Sequence, residues 1–188
     1  MNTILENIRL ITKQLDTKTE QKIARIMFNN SMTISTAESC TGGLISSRLT
    51  DIAGSSSYIK ENFVTYSNEA KINLLGVKQK TLDEHGAVSE ECAREMAEGL
   101  FNRLNNTESR YSSCDISLAT TGIAGPGGAT ATKKVGLLYV AVKNQYSIKV
   151  KKIELNPKHG RKTMKFLFSQ EALEFLIEFL NETIVSEN

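Results

Sequence analysis

The segment 36–43, Thr-Ala-Glu-Ser-Cys-Thr-Gly-Gly, restricts the fold of this chain more than any other. It follows a short β-branched stretch, 32–36, and precedes an amphipathic stretch, 44–52. This order predicts a strand, a tight polar turn and a helix. Ser39 and Cys40 are then candidate nucleophiles beside backbone N–H groups at a helix start, which suit a phosphate or a developing oxyanion. The alternative interpretation is a Ser/Thr N-cap, with glycines that ease the packing of the strand against the helix.

The composition narrows the class of protein. A chain of 188 residues is long enough for one domain, 1–188, with a sizeable core. Its formal charge of +2 is too small to predict a nucleic-acid surface. No stretch has the roughly eighteen apolar residues of a membrane span, and the start lacks the features of a secretion signal. Cys40, Cys92 and Cys114 are odd in number and widely spaced, which favours a reducing cytoplasm over a disulfide framework or a metal site.

Hydrophobic periodicity and turn residues predict alternating helices and strands. Strands are predicted at 32–36, 58–66, 114–121, 135–142 and 146–155, and helices at 4–15, 23–30, 44–52, 67–76, 81–86, 89–100 and 161–184. Ser67, Thr81 and Ser89 are predicted to cap three of these helices. The gap 143–145 is short enough for a hairpin, so the last two strands are expected to be antiparallel. The pattern predicts a three-layer α/β/α domain with a mixed, mostly parallel sheet.

Two further features of the sequence concern surfaces. Lys149, Lys151 and Lys152 are expected on a solvated edge strand, where they resist edge-to-edge pairing. The glycine-rich segment 120–128 lacks both the P-loop ending and the dinucleotide spacing. It is either a ligand-binding loop at a strand end or a plain wide turn.

If Ser39 attacks an acyl carbon, another group must take its proton. The only histidines, His85 and His159, are predicted at a helix end and in a turn, where capping or surface roles are common. A lysine can serve instead if burial or a neighbouring cation lowers its pKa. The local Ser-x-x-Lys pattern at 57–60 enters a predicted strand, so Lys71 on the short helix is the better candidate. Periodicity alone does not show that Lys71 meets Ser39.

Five blocks of the chain occur together in one order and carry a family resemblance. They are Thr-Ala-Glu-Ser-Cys-Thr-Gly-Gly at 36–43, Asp-Ile-Ala-Gly-Ser-Ser at 51–56, Phe-Val-Thr-Tyr-Ser-Asn-Glu-Ala-Lys at 63–71, Gly-Ala-Val-Ser at 86–89 and Thr-Gly-Ile-Ala-Gly-Pro-Gly-Gly at 121–128. The chain resembles the CinA C-terminal-domain family, whose characterised members are nicotinamide-mononucleotide amidases. The resemblance covers nearly the whole chain after the first helix, in the stand-alone form without the further domain of longer relatives.

The resemblance implies hydrolysis of the carboxamide of nicotinamide mononucleotide to nicotinate mononucleotide and ammonia. The expected chemistry is a serine–lysine mechanism without metal or cofactor, in a homodimer. Ser39 resembles the nucleophile, Lys71 the general base and Tyr66 their hydroxyl partner. The resemblance assigns oxyanion N–H groups to Thr41, Gly42 and Gly43, the border of the substrate to Thr121, Gly122, Gly127 and Gly128, and the phosphate to Arg161.

Two departures from the family pattern bear on ligand affinity. The family usually continues after Gly128 with another glycine and Thr-x-Glu-Lys-Pro-Val-Gly, whereas this chain reads Ala-Thr-Ala-Thr-Lys-Lys-Val-Gly at 129–136. The family also tends to show two arginines where this chain has Arg161 and Lys165, and the two residue types are not equivalent at an anion site. Two alternatives stay open: a non-catalytic paralogue that binds a nucleotide or a protein partner, and an enzyme with Cys40 as its nucleophile.

Overall fold

The computed structural model describes residues 17–105 and 113–186. Its elements in chain order are α1 (Lys18–Asn29), β1 (Ile34–Glu38), α2 (Leu44–Thr50), a 3-10 turn (Ser55–Ser57), β2 (Ile59–Val64), α3 (Asn68–Leu75), α4 (Gln79–His85), α5 (Glu90–Asn105), β3 (Ile116–Gly122), β4 (Leu137–Lys143), β5 (Ile148–Glu154) and α6 (Arg161–Ser186). The helix predicted at 4–15 lies outside the described residues. No helix in the described ranges combines the length and the apolar character that a membrane crossing requires.

The five strands form one sheet in the order β2-β1-β3-β4-β5. β1 runs parallel to both β2 and β3, while β4 is antiparallel to β3 and β5. Four of the five strands therefore point in the same direction, which confirms the predicted mixed, mostly parallel sheet. Since β1, β2 and β3 end at the same edge, the turns that follow them meet where open α/β sheets bind ligands.

Two hydrophobic cores, one on each face of the sheet, make the three layers. One core joins the sheet to α1, α2 and α6 through residues such as Ile23, Leu49 and Phe168. The other joins it to α3, α4 and α5 through residues such as Leu75 and Met96. All five residues of β1 are buried because both of its faces are covered. The predicted three-layer arrangement is confirmed.

Local signals account for most of the helix boundaries. The Ser67 side chain accepts a hydrogen bond from the Ala70 N–H at 3.1 Å, and Ser89 accepts one from the Cys92 N–H at the same distance, so both predicted caps are confirmed. The prediction for Thr81 is wrong, because α4 already begins at Gln79. The Thr81 hydroxyl instead donates to Glu95 at 2.8 Å. Glu95 lies on α5, and a contact from another helix leaves no local sequence signal.

The lysines of β5 lie at the edge of the sheet, as expected. Two of them also reach across to α6: Lys149 pairs with Glu182, and Lys151 pairs with Glu178 at 2.9 Å. Lys152 pairs with Glu154 within the strand. The edge is therefore charged and partly tied to the last helix.

Candidate active site

Ser39 lies directly after β1, at the edge where the three parallel strands end. Its backbone N–H donates to the Thr120 carbonyl at 3.0 Å, which anchors the turn to β3. The residue is 9% exposed and so is almost enclosed by the fold. This position at a strand-to-helix turn is the one that a hydrolase nucleophile occupies.

Lys71 meets Ser39 in space although 32 residues separate them in the sequence. The Lys71 Nζ lies 3.1 Å from the Ser39 Oγ and donates to the Thr65 carbonyl at 2.8 Å. Because α3 packs against α5 on one face of the sheet, the lysine chain extends through the core toward the end of β1. The side chain is only 1% exposed. The sequence identifies both residues as candidates, but it does not predict the contact between them.

The surroundings of Lys71 favour its neutral form. Burial lowers the pKa of the Lys71 amine, and the neighbouring thiols of Cys92 and Cys40 oppose that shift. Desolvation destabilises an ammonium, so the folded protein holds an amine that can accept a proton nearer to neutral pH than an exposed lysine can. A base within hydrogen-bonding distance of a serine hydroxyl is the arrangement that nucleophilic catalysis needs.

Cys40 does not have the properties of a nucleophile. Burial raises the pKa of its thiol to about 12, so the thiolate is scarce at neutral pH. The sulfur packs against Gly122, where an added Cβ would lie 3.2 Å from the Sγ and 2.6 Å from the Leu137 carbonyl oxygen. Cys40 is thus a small buried side chain in the wall behind the turn.

Glu38 is a functional candidate that the sequence reasoning missed. The residue is fully buried, and its carboxylate faces the start of α2. One oxygen accepts from the N–H groups of Gly43 and Ile45, at 2.9 and 3.1 Å. The other accepts from the N–H and the hydroxyl of Ser46, at 2.8 and 2.6 Å. The protein's own carboxylate therefore occupies the start of this helix. The signal that the sequence offered for Glu38 was a charged residue inside an otherwise buried strand.

This arrangement corrects the prediction for the oxyanion donors. The Gly43 N–H is used by Glu38, and the Gly42 N–H donates to the Ser39 carbonyl at 3.2 Å. Both glycines adopt left-handed backbone angles, with φ of 61° and 89°, and these angles allow the chain to turn back so tightly. Within the described ranges, the N–H groups of Cys40 and Thr41 have no hydrogen-bond acceptor in another residue. The Thr41 hydroxyl is paired with that of Thr120 at 2.9 Å.

Two cations on α6 lie near the turn that follows β1. Arg161 donates to the Gly125 carbonyl and to the Tyr66 hydroxyl, each at 2.7 Å. Lys165, one helical turn further on, places its Nζ 3.0 Å from the position that a Cβ on Gly42 would occupy. Lys165 has no ion pair with any residue that the structure describes. The site thus carries positive charge beside the turn that contains Ser39.

Tyr66 is not where the family resemblance suggested. Its side chain is on the surface, at 62% exposure, and its hydroxyl is bonded to Arg161. The hydrogen bonds of the Ser39–Lys71 pair do not include it, because Lys71 reaches the carbonyl of the preceding residue, Thr65. In this structure the Tyr66 hydroxyl therefore contacts a cation of α6 and neither Ser39 nor Lys71.

The second glycine-rich segment divides into a packed part and an open part. The Thr121 hydroxyl donates to the Ala87 carbonyl at 2.6 Å, and Gly122 has no room for a side chain because of Cys40 and Leu137. Gly127 and Gly128 are exposed, and nothing lies within 4 Å of a Cβ added to Gly127. The first two positions shape the wall behind Ser39, whereas the last two lie on the open rim.

The segment after Gly128 has its own internal hydrogen bonds. The Thr130 Oγ1 accepts from the Lys133 N–H at 3.1 Å, and the Lys133 ammonium donates to the carbonyl of His85. The His85 imidazole itself lies beside Glu84 and Glu91. The backbone N–H of His159 donates to the Asn156 carbonyl in the turn before α6. Neither histidine is bonded to Ser39, whereas the Lys71 Nζ lies 3.1 Å from its Oγ.

No group of three or more His, Cys, Asp or Glu side chains in residues 17–105 and 113–186 is arranged to hold a metal ion. The local Ser-x-x-Lys pattern is also not a site. The Ser57 hydroxyl donates to the Gly54 carbonyl, and Lys60 is exposed on β2.

Comparison with known proteins places these features in a family. The model of the CinA C-terminal domain matches residues 16–180. A "CinA-like protein" of Chloroherpeton thalassium is 44% identical over 175 residues, and a "Putative competence-damage inducible protein" of Acetivibrio thermocellus is 47% identical over 146 residues. These alignments cover 88% and 78% of this chain but only 38% and 33% of the relatives. The chain therefore spans less than two fifths of the length of these relatives.

Solved structures agree with the fold over nearly their full length. The competence/damage inducible protein CihA from Agrobacterium tumefaciens has a TM-score of 0.80 and 40% identity, covering 88% of this chain and 94% of that one. The competence damage-inducible protein A (ComA) from Klebsiella pneumoniae has a TM-score of 0.79 and 30% identity, covering 88% and 96%.

Proposed function

Since the chain belongs to the CinA C-terminal domain family, we propose that it is an amidohydrolase that acts on nicotinamide mononucleotide. Its products are nicotinate mononucleotide and ammonia. The observation that carries the proposal is the buried contact between the Lys71 Nζ and the Ser39 Oγ, 3.1 Å apart. A nucleophile and a base held at this distance, with the base desolvated, support acyl transfer more directly than simple ligand binding.

The proposed reaction begins with neutral Lys71. The amine takes the proton of Ser39 while the serine oxygen attacks the carboxamide carbon, and an oxyanion forms. The N–H groups of Cys40 and Thr41 are the donors left in the turn for that oxyanion, and two such donors contribute a large share of the rate in acyl transfer. The Lys71 ammonium then protonates the departing nitrogen, which leaves as ammonia. A water molecule then attacks the resulting ester while Lys71 takes its proton. The C–O bond to Ser39 breaks, the Lys71 ammonium returns the proton to the serine oxygen, and nicotinate mononucleotide leaves.

The cations on α6 are the proposed phosphate site. Glu38 occupies the start of α2 with its own carboxylate, so that helix start cannot also bind a phosphate. Lys165 has no acidic partner in the described ranges and lies against Gly42, and Arg161 borders the glycine-rich rim through Gly125. A guanidinium and an ammonium on one side of the site can neutralise a phosphate dianion.

One observation favours the second candidate function, a paralogue that binds a nucleotide or a protein without hydrolysis. The altered segment 129–136 is fixed by its own hydrogen bonds and by Lys133 on the His85 carbonyl, so the rim differs from the usual family pattern. Such a change acts on ligand affinity, whereas the Ser39–Lys71 pair is complete. Family membership alone does not decide between the two functions.

Ammonia release separates the two candidates. Purified protein is incubated with nicotinamide mononucleotide, with and without a chelator, and ammonia and nicotinate mononucleotide are measured together. Equal amounts of both products, unaffected by the chelator, support the proposed metal-independent amidase. Binding of the mononucleotide without product supports the paralogue. A homodimer is part of the proposal, and the mass of the protein in solution tests it separately.

A further inference from the structure

Thr65 carries a buried hydroxyl that has no hydrogen-bond partner. The residue is 0% exposed, and the only other such side-chain atom in the described ranges is an oxygen of Glu20. Buried polar groups are nearly always paired, so an unpaired one calls for an explanation. The location of Thr65 supplies one.

The sheet register places Thr65 beside Ser39. Ala37 lies opposite Phe63 and Glu38 lies opposite Val64, and the Thr65 N–H donates to the Glu38 carbonyl at 2.8 Å. The next pair in this register is Ser39 with Thr65. Ala37 and Phe63 lie on one face of the sheet, and Ser39 and Thr65 each follow two residues later, where both contact the Lys71 Nζ, Ser39 through its Oγ and Thr65 through its carbonyl oxygen. That face packs against the layer of α3 and α5, from which Lys71 comes.

The hydrogen bonding of Lys71 is also incomplete. The Nζ contacts the Ser39 Oγ and the Thr65 carbonyl oxygen. An ammonium has three donors, so one N–H remains without an acceptor in the described part of the chain once Lys71 is protonated. Two groups with incomplete hydrogen bonding, the Lys71 Nζ and the Thr65 hydroxyl, therefore belong to residues that are in contact through the Thr65 carbonyl oxygen.

We infer that the Thr65 hydroxyl is a positioning residue for the proposed reaction: it accepts the third N–H of Lys71 after the lysine has taken the proton of Ser39. In that step the Ser39 O–H bond breaks and an N–H bond forms on Lys71. The serine oxygen bonds the carboxamide carbon, whose π electrons move to the carbonyl oxygen. The contact with Thr65 is made only in the charged state, so it assists the step that creates the charge. The inference rests on the proposed amidase function.

Among the residues that the structure describes, no carboxylate is one of the groups that act electrostatically on Lys71. Those groups are Cys92 on α5 and Cys40 after β1, and burial raises the pKa values of their thiols to about 11 and about 12. Both thiols are therefore neutral at pH 7. Without a counter-ion, a hydrogen bond that the ammonium donates to an uncharged oxygen is the available means of stabilising it. Such a bond limits how far burial lowers the lysine pKa and keeps Lys71 strong enough as a base.

The test replaces Thr65 with valine, which keeps the shape and removes the hydroxyl. We expect kcat to fall roughly 10- to 100-fold, the effect of one hydrogen bond to a charged group, with KM unchanged. The rising limb of kcat against pH should move to lower pH by about one unit. Thr65→Ser keeps the hydroxyl and should restore both. Thr65→Ala is the second variant without the hydroxyl, in case valine disturbs folding.

A measurement independent of activity is the titration of Lys71 by NMR in lysine-labelled protein, with Lys71→Arg to assign the signal. Thr65→Val should lower the measured pKa, whereas the control Thr81→Val should leave it unchanged. Thr81 is another buried threonine, but its hydroxyl already donates to Glu95, so its loss affects stability alone. An unchanged Lys71 titration in folded Thr65→Val overturns the inference. If the wild-type protein hydrolyses no mononucleotide, the proposed function fails, and the titration still tests the role of Thr65.

Discussion

Two buried cations of this protein have opposite surroundings. Arg48 on α2 is 6% exposed and Lys71 on α3 is 1% exposed. Arg48 bonds the Glu20 carboxylate at 2.5 Å and also donates to Ser169 and Gln170, at 2.8 and 2.6 Å. Within residues 17–105 and 113–186, Lys71 contacts a hydroxyl and a carbonyl but no carboxylate. The partners of Arg48 stabilise its charge, whereas the surroundings of Lys71 make its charge unfavourable.

The difference separates a structural cation, Arg48, from the proposed catalytic base, Lys71. Arg48 connects α1, α2 and α6, and its guanidinium also lies 5.0 Å from the centre of the Phe166 ring. Buried charges persist in structural roles when they are paired and hydrogen-bonded. A catalytic base must instead be able to lose its proton near neutral pH, so a counter-ion beside Lys71 would oppose its function.

The largest effect is expected from Ser39→Ala, which removes the group that Lys71 is proposed to activate. Loss of a covalent nucleophile should lower kcat by several orders of magnitude while the fold is kept. The measurement is ammonia release from the mononucleotide, with circular dichroism as the check on folding. Near-normal turnover by a folded Ser39→Ala protein would end the serine mechanism and leave Lys71 as a mere binding cation.

Lys71→Arg tests whether the unpaired cation works by losing its proton. Burial lowers the pKa of Lys71, so wild-type activity should rise with pH along a limb below the ordinary lysine value of about 10.4. A guanidinium stays protonated over that range, so kcat should fall by about 10²- to 10⁴-fold at every pH. Full pH profiles of both proteins decide the question. A variant that keeps most of its activity would assign the base to another group, with His85 the next to test.

Stability measurements on two methionine variants compare the two cations directly. Arg48→Met leaves the Glu20 carboxylate buried without its partner and should lower the free energy of unfolding by about 3–5 kcal/mol. Lys71→Met removes a desolvated amine and should be neutral or stabilising near pH 7, as active-site residues often are. The lowered Lys71 pKa means that the unfolded chain binds more protons, so wild-type stability should rise relative to Lys71→Met as pH increases toward about 10.4.

Denaturant unfolding of the three proteins at several pH values measures these effects. Equal losses of stability in Arg48→Met and Lys71→Met would show that the two cations have the same structural role. The comparison would then give no reason to regard Lys71 as a base.

The sequence predicts more of the fold than of the site, for a physical reason. Periods of 2 and 3.6 residues and side-chain caps such as Ser67 act over a few neighbouring residues, so strands and helices can be read locally. The contact between Lys71 and Ser39 depends on the packing of α3 against α5, and the Tyr66 hydroxyl meets Arg161 across 95 residues. Glu38 was missed because the four groups that donate to it come from Gly43, Ile45 and Ser46, at a helix start that forms only after the turn.

The smallest effect is expected at two cations of α6, the exposed Arg161 and the half-buried Lys165, where the comparison of paired and unpaired groups is repeated outside the core. Arg161 already has two protein partners, Gly125 and Tyr66, whereas Lys165 has no ion pair in the described ranges. Arg161→Ala and Lys165→Ala should each raise KM for the mononucleotide by roughly 10- to 100-fold, the worth of a charge-assisted hydrogen bond to phosphate. Neither should change KM for nicotinamide riboside, which lacks the phosphate.

Lys162→Ala is the matched control, since this exposed cation precedes Lys165 on the same helix and should leave both KM values unchanged. Tyr66→Phe removes one partner of Arg161 and should raise KM for the mononucleotide only a few-fold, about the effect of one exposed hydrogen bond. A change in kcat rather than KM for Tyr66→Phe would return its hydroxyl to the proton transfer. Equal effects of Arg161→Ala on both substrates would show that Arg161 does not bind the phosphate, because a phosphate contact can discriminate only between ligands that differ in that group.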